Sequence, residues 1–248
     1  MNTQSRRVTV INDGRFYAGP PLARFLAERN HNVVIGDAPS ELVESLESEG
    51  VQVLSVKGVN SRGNTQGSQQ LVSAAMEKFG RIDSASMFSG QIITGSILKS
   101  SREDLDALYE GCLVAPYEFL KAVLPVMKEQ QSGQVLIITS ASGARPTPGA
   151  PLYSSLRAAA SMLARNAASE MAKFGVQVNA VGTNFMDFPE FLRASGATNP
   201  EVRKKVESQV PLQRLGTLDE FASFCMPYLD GTSRFATGQF VSFSGGWS

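Results

Sequence analysis

The stretch from Val135 to Met171 (VLIITSASGARPTPGAPLYSSLRAAASMLARNAASEM) constrains the fold of this chain more than any other. It opens on an apolar, β-branched run, Val135 to Ile138, of the kind that fills a strand buried on both faces. Thr139 and Ser140 stand at the carboxyl end of that strand. A loop rich in Gly and Pro follows, then an Ala-rich segment with no helix breaker before Gly175. Tyr153 and Arg157, four residues apart near the start of this helix, share one face. The loop can return Ser140 over the same face. A hydroxyl, a phenol and a fixed cation then meet at the carboxyl edge of a parallel sheet, where open α/β folds place ligands.

The rest of the chain repeats the strand–helix alternation. Strands are predicted over residues 7–12, 32–36, 51–56, 82–88, 176–182 and 237–246, and helices over 20–28, 41–50, 65–79 and 105–128. The expected fold is a single Rossmann-like α/β domain over 1–248, a doubly wound parallel sheet of about seven strands with helices on both faces. Residues 187–209 read as a mobile substrate lid with a helical tail. Asp37, in the sequence Asp-Ala-Pro-Ser, reads as the cap of the helix that follows.

Composition narrows the function classes. Lys+Arg and Asp+Glu balance at 23 each, so no basic field invites nucleic acid or an anionic membrane. No apolar run reaches the roughly 18 residues of a membrane span, and the MNTQSRR start lacks the apolar core of a signal peptide. Two distant cysteines, Cys112 and Cys225, give neither a disulfide framework nor metal spacing. The single histidine, His31, reads as lying in a surface turn, which argues against His-based catalysis and His-rich metal sites. A cytoplasmic protein is expected.

The spacing Ser140-x12-Tyr153-x3-Arg157 resembles the catalytic set of the short-chain dehydrogenase/reductase superfamily, with Arg where those enzymes carry Lys. The first βα loop, Asn12-Asp13-Gly14-Arg15-Phe16-Tyr17-Ala18-Gly19, departs from the superfamily's glycine-rich turn. Its glycines align with Asp13, Tyr17 and Gly19, and only the last is kept. A glycine there lets backbone approach a pyrophosphate, whereas a tyrosine ring takes up the space itself. Loop and trio together resemble the halohydrin dehalogenases, lyases on the same fold that use no nicotinamide. These carry an aromatic residue followed two positions later by Gly, as in Tyr17-Ala18-Gly19, and usually Thr where this chain has Asn12. Superfamily dehydrogenases end the fourth strand with Asn-Asn-Ala-Gly, against Met87-Phe88-Ser89-Gly90 here. Cys112 aligns with a structural Asn of theirs and reads as a small buried hydrophobe.

The resemblance implies conversion of vicinal haloalcohols to epoxides plus halide, and the reverse ring opening by small anions such as azide, cyanide or nitrite. Tyr153 would be the base. A free phenol titrates near 10, and Arg157 would supply the cation that lowers it. Ser140 would donate to the substrate oxygen. The halide would rest on Tyr17 and on Asn184, Phe185 and Met186, in a loop where the dehalogenases often have Pro-Asn-aromatic and build a nest of backbone N–H groups. No cofactor or metal is implied. The family expectation is a homotetramer, a dimer of dimers, paired through the Ala-rich helix with its Ala158, Ala159, Ala160, Ala164, Ala167 and Ala168. Two other readings stay open. One is an NAD(P)-dependent reductase with a divergent loop and Asp37 as ribose ligand. The other is a non-catalytic member that binds or scaffolds.

Overall fold

The computed structural model describes residues 6–248, so the reading of the first five residues lies outside it. Among the described residues the strands are β1 (Val8–Ile11), β2 (Asn32–Gly36), β3 (Val53–Val56), β4 (Ser84–Phe88), β5 (Gly133–Ser140), β6 (Val176–Thr183) and β7 (Phe240–Phe243). They form one parallel sheet in the order β3-β2-β1-β4-β5-β6-β7. The order reverses between β1 and β4, which opens a crevice at the carboxyl edge. β1, β2, β4 and β5 are buried along their whole length, as a sheet covered on both faces requires.

The helices are α1 (Gly19–Ala27), α2 (Ser40–Ser48), α3 (Gly67–Phe79), α4 (Arg102–Tyr109), α5 (Ala115–Gln130), α6 (Pro151–Met171), α7 (Pro189–Ser195), α8 (Pro200–Glu207) and α9 (Leu218–Cys225). Two apolar layers flank the sheet. α1, α2 and α9 bury Leu22, Leu26, Leu46 and Phe221 against Ile11 and Ile35. α3, α5 and α6 bury Leu71, Phe119, Val123, Ala164 and Ala168 against Val10, Val135 and Val178. Ala160, Ala164 and Ala168 are therefore spent on close approach of α6 to the fold's own interior. Among the described residues no helix is long and apolar enough to cross a membrane.

The structure corrects several expectations. His31 is buried, only 2% exposed, and its Nδ1 lies 2.8 Å from the Thr9 hydroxyl, which in turn meets Ser84 at 2.7 Å. Thr9 on β1 and Ser84 on β4 supply the polar contacts that its burial requires. Asp37 does not cap α2. The N-cap position is Pro39 with no side-chain bond, while the Asp37 carboxylate accepts from the backbone N–H groups of Gly58 and Asn60 and from the Asn60 amide. Burial alone would raise its pKa, but those bonds hold it below the ordinary carboxylate value. The helix expected over 105–128 is interrupted by a π-helical segment, Glu110–Val114. Residues 187–209, read as a lid with a helical tail, contain two helices, α7 and α8, beside a small core of Phe185, Ala197, Val206, Val210 and Leu215. The closing strand is shorter than its sequence suggested.

Candidate active site

A cavity of about 660 Å³ opens at the carboxyl edge, and Ser140, Tyr153 and Arg157 all line it. Ser140 ends β5, opposite Thr183 at the end of β6. The loop after Ser140 folds onto α6 because Gly143 has no side chain: a Cβ there would lie 2.7 Å from the Ala158 nitrogen. Thr139 and Ser161 hydroxyls both donate to the Arg157 carbonyl, at 3.2 and 2.9 Å, and pin that turn of the helix. The expected one-turn spacing places the Arg157 guanidinium carbon 5.0 Å from the centre of the Tyr153 ring.

Arg157 is 3% exposed, and its guanidinium donates to the backbone carbonyls of Ser89 (2.8 Å) and Gln91 (3.3 Å). Its Nε is buried with no hydrogen-bond partner. A buried cation held by carbonyl dipoles rather than by a carboxylate leaves its field directed at its neighbours. The Ser140 hydroxyl accepts from Ser142 N at 3.2 Å and donates to the Thr183 carbonyl at 3.3 Å. Those contacts orient the hydroxyl, and it must turn from the carbonyl to serve a substrate.

The opposite wall is aromatic. Tyr17, which aligns with a superfamily glycine, has a left-handed backbone (φ 53°), and Phe185 is left-handed as well (φ 54°). Bulky residues rarely hold this conformation, and where they do the strain, about 1–3 kcal/mol each, clusters at functional sites. The Tyr17 ring packs on Phe188 (4.6 Å between centroids), Phe88 (5.4 Å) and Phe221 (6.3 Å). Its hydroxyl lies 2.5 Å from that of Thr183. Burial pushes the Tyr17 phenol far above its ordinary value, with Thr183 only partly opposing, so this tyrosine stays protonated and is no base.

The retained Gly19 serves the turn itself, since a Cβ would lie 1.8 Å from the Asp13 carbonyl oxygen. Asp13 is neutralised within the loop by Arg15 at 2.6 Å. Asn12, at the usual Thr position, both donates to the Phe88 carbonyl and accepts from the Phe88 N–H, each at 2.9 Å.

Tyr17, Asn184, Phe185 and Met186 line the cavity with the trio, so the structure brings all seven predicted residues together. Two N–H groups of the expected backbone nest already have partners within the protein. Asn184 N–H already donates to the Phe243 carbonyl at 3.3 Å, and Phe185 N–H to the Asn184 side chain at 2.9 Å. The same three residues form the wall of a second cavity of about 180 Å³, and the Phe185 ring rests on Trp247 at 5.6 Å. Cys112 is fully buried, its thiol pushed up by burial and directed at the Gln91 carbonyl at 3.6 Å. It is packing, not nucleophile.

Sequence reasoning missed Thr183 as the partner of Tyr17, and Phe88 and Phe188 as its ring neighbours. The change from Asn-Asn to Met-Phe at the end of β4 carried part of that signal. Among the described residues no group of three or more His, Cys, Asp or Glu gathers to hold a metal.

Comparison with known proteins places these features in a family. Residues 19–248 match a family model described as enoyl-(acyl carrier protein) reductase. An uncharacterized oxidoreductase of Thermotoga maritima is 29% identical over 252 residues, covering 99% of this chain and 98% of its own. The 2,5-dichloro-2,5-cyclohexadiene-1,4-diol dehydrogenase LinX of Sphingobium indicum is 27% identical, covering 100% and 98%. A solved structure described as "Dehalogenation enzyme" superposes with a TM-score of 0.83 at 27% identity, covering 100% of both chains.

Proposed function

The chain belongs to the short-chain dehydrogenase/reductase superfamily, through the family described as enoyl-(acyl carrier protein) reductase, and within it we propose a halohydrin dehalogenase. The observation that carries this reading is the Tyr17 ring, held in a left-handed turn and braced by Phe88, Phe188 and Thr183. It faces the same cavity as the trio, from the position where the superfamily's glycine would admit a pyrophosphate. A nicotinamide dinucleotide fits these residues poorly. The ring fills the approach, and Asp37 already accepts three hydrogen bonds from Gly58 and Asn60.

In the proposed reaction the substrate hydroxyl gives its proton to the Tyr153 oxygen, and the Arg157 cation packs against the same ring. Ser140 donates to the substrate oxygen as it gains charge. That oxygen displaces halide from the adjacent carbon: the C–O bond forms as the carbon–halogen bond breaks, and halide leaves toward the aromatic wall. The reverse path opens epoxides with halide, azide, cyanide or nitrite. The partners are a small haloalcohol or epoxide and a monovalent anion. A cytoplasmic homotetramer belongs to the same reading, with the exposed apolar Tyr117 on α5 and Met162 on α6 as candidate contact residues.

The test is chloride release from a small 1,2-chlorohydrin with nucleotide rigorously removed. Turnover is expected, and its absence over a broad panel rejects the reading. A second reading, an NAD(P)-dependent reductase with an altered cofactor loop, is favoured by the names of the curated relatives, an oxidoreductase and a dehydrogenase. Saturable quenching or enhancement of NADPH fluorescence on mixing, with carbonyl reduction, would select it.

A further inference from the structure

A halide leaving this cavity needs donors, and the structure has committed two of those that the loop after β6 was expected to supply. Asn184 N–H is bonded to Phe243 and Phe185 N–H to the Asn184 side chain. Ring edges supply only a weak positive rim. Between the aromatic wall and Ser140, however, two hydroxyls touch: Tyr17 Oη and Thr183 Oγ1, 2.5 Å apart, in residues that both line the cavity.

We propose that this hydroxyl pair is the anion-binding donor of the site, with Thr183 acting as the positioning residue for Tyr17. The inference rests on the dehalogenase reading and deepens it. Two O–H groups bring two hydrogens to the contact, and a single hydrogen bond between the oxygens uses one. The other hydrogen can turn toward an anion in the cavity, and its bond is strengthened because the first oxygen is already polarised by its partner. Burial keeps the phenol protonated, so the pair presents a donor and no negative charge. Thr183 sits on the last residue of β6, buried and in register with Ser140, and therefore gives the pair a rigid mount. Three ring contacts, with Phe88, Phe188 and Phe221, fix Tyr17 from the other side. A proline, frequent at this position in the resembling enzymes, brings no hydroxyl. Here Thr183 supplies one.

The ligand class is a small monovalent anion, and chloride alone is the probe. Chloride-35 NMR line broadening by the full-length protein, without substrate or nucleotide, reads binding directly. Wild type should broaden the line saturably. Thr183→Val and Tyr17→Phe should each weaken chloride binding by about tenfold, the scale of one hydrogen bond to a charged group. The double variant should be little weaker than either single one, because each removes the same pair. Thr183→Ser should restore affinity, and thermal melting checks that each variant is folded. Should Thr183→Val fail to fold, Thr183→Ser together with Tyr17→Phe carries the comparison. No broadening by wild type, unchanged affinity in Tyr17→Phe, or additive losses in the double variant would overturn the inference. Normal chloride binding without haloalcohol turnover would leave it standing and remove the lyase reading instead.

Discussion

The two ends of the sheet differ in how much of their buried polarity is matched by side-chain partners. At the amino end, charge is matched by partners. The Asp83 carboxylate accepts from Val8 N–H and pairs with Arg81, and His31, Thr9 and Ser84 share a chain of bonds. Arg7 there leaves its Nε without a partner, but the same guanidinium reaches the Asp83 and Leu229 carbonyls and the Gln134 side chain. At the carboxyl end, Arg157 is buried on carbonyls, and two aromatic residues sit in left-handed backbone. One end is built for stability. The other stores imbalance that a reacting group can use.

The sharpest way to break this contrast is Tyr153→Phe. On the proposed mechanism, loss of this phenol should lower halide release by about 10²- to 10⁴-fold while the melting temperature stays nearly unchanged. A variant that melts early would show that the tyrosine belongs to the core and not to the chemistry. The next largest effect lies at the other end. Burial lowers the His31 pKa to about 4, below the ordinary 6.5. Folding therefore favours the neutral ring. The stabilisation is fully present above about 6.5 and is lost as pH falls toward 4, on the order of 3 kcal/mol. Urea unfolding of wild type at pH 7 and pH 4.5 should reveal that loss, and His31→Gln should flatten it without changing halide release at pH 7. Asp37→Ala gives the smallest effect. Removing the acceptor for Gly58 and Asn60 should cost about 1–3 kcal/mol of stability and leave chloride release intact. A changed nucleotide affinity in that variant would return Asp37 to the role it holds in dehydrogenases.

Much of the fold could be read from periodicity, because buried parallel strands are continuous apolar runs. β2 was located to the residue, and β5 emerged from Val135 to Ile138 with Ser140 at its end. Tyr153 and Arg157 met as their spacing required. What failed depends on contacts between distant segments. His31 looked exposed because its partner Thr9 lies on β1, and Ser84, which bonds that threonine, lies on β4. Asp37 obeyed a local capping rule until the Gly58–Asn60 turn captured its carboxylate. The π-helical segment at Glu110–Val114 hid inside an unbroken helical pattern. For the aromatic wall, spacing found the residues but not their contacts. Nothing local says that the Phe185 N–H turns onto the side chain before it, or that Thr183 reaches a tyrosine 166 positions away.

Asn12 couples the halves of the pocket mechanically. Its carboxamide grips both the N–H and the carbonyl of Phe88. Phe88 braces the Tyr17 ring, and the next residue's carbonyl holds Arg157. One side chain thus rivets the loop carrying the aromatic wall to the strand end that anchors the cation. The two cannot drift apart independently, and the cavity should breathe as one piece.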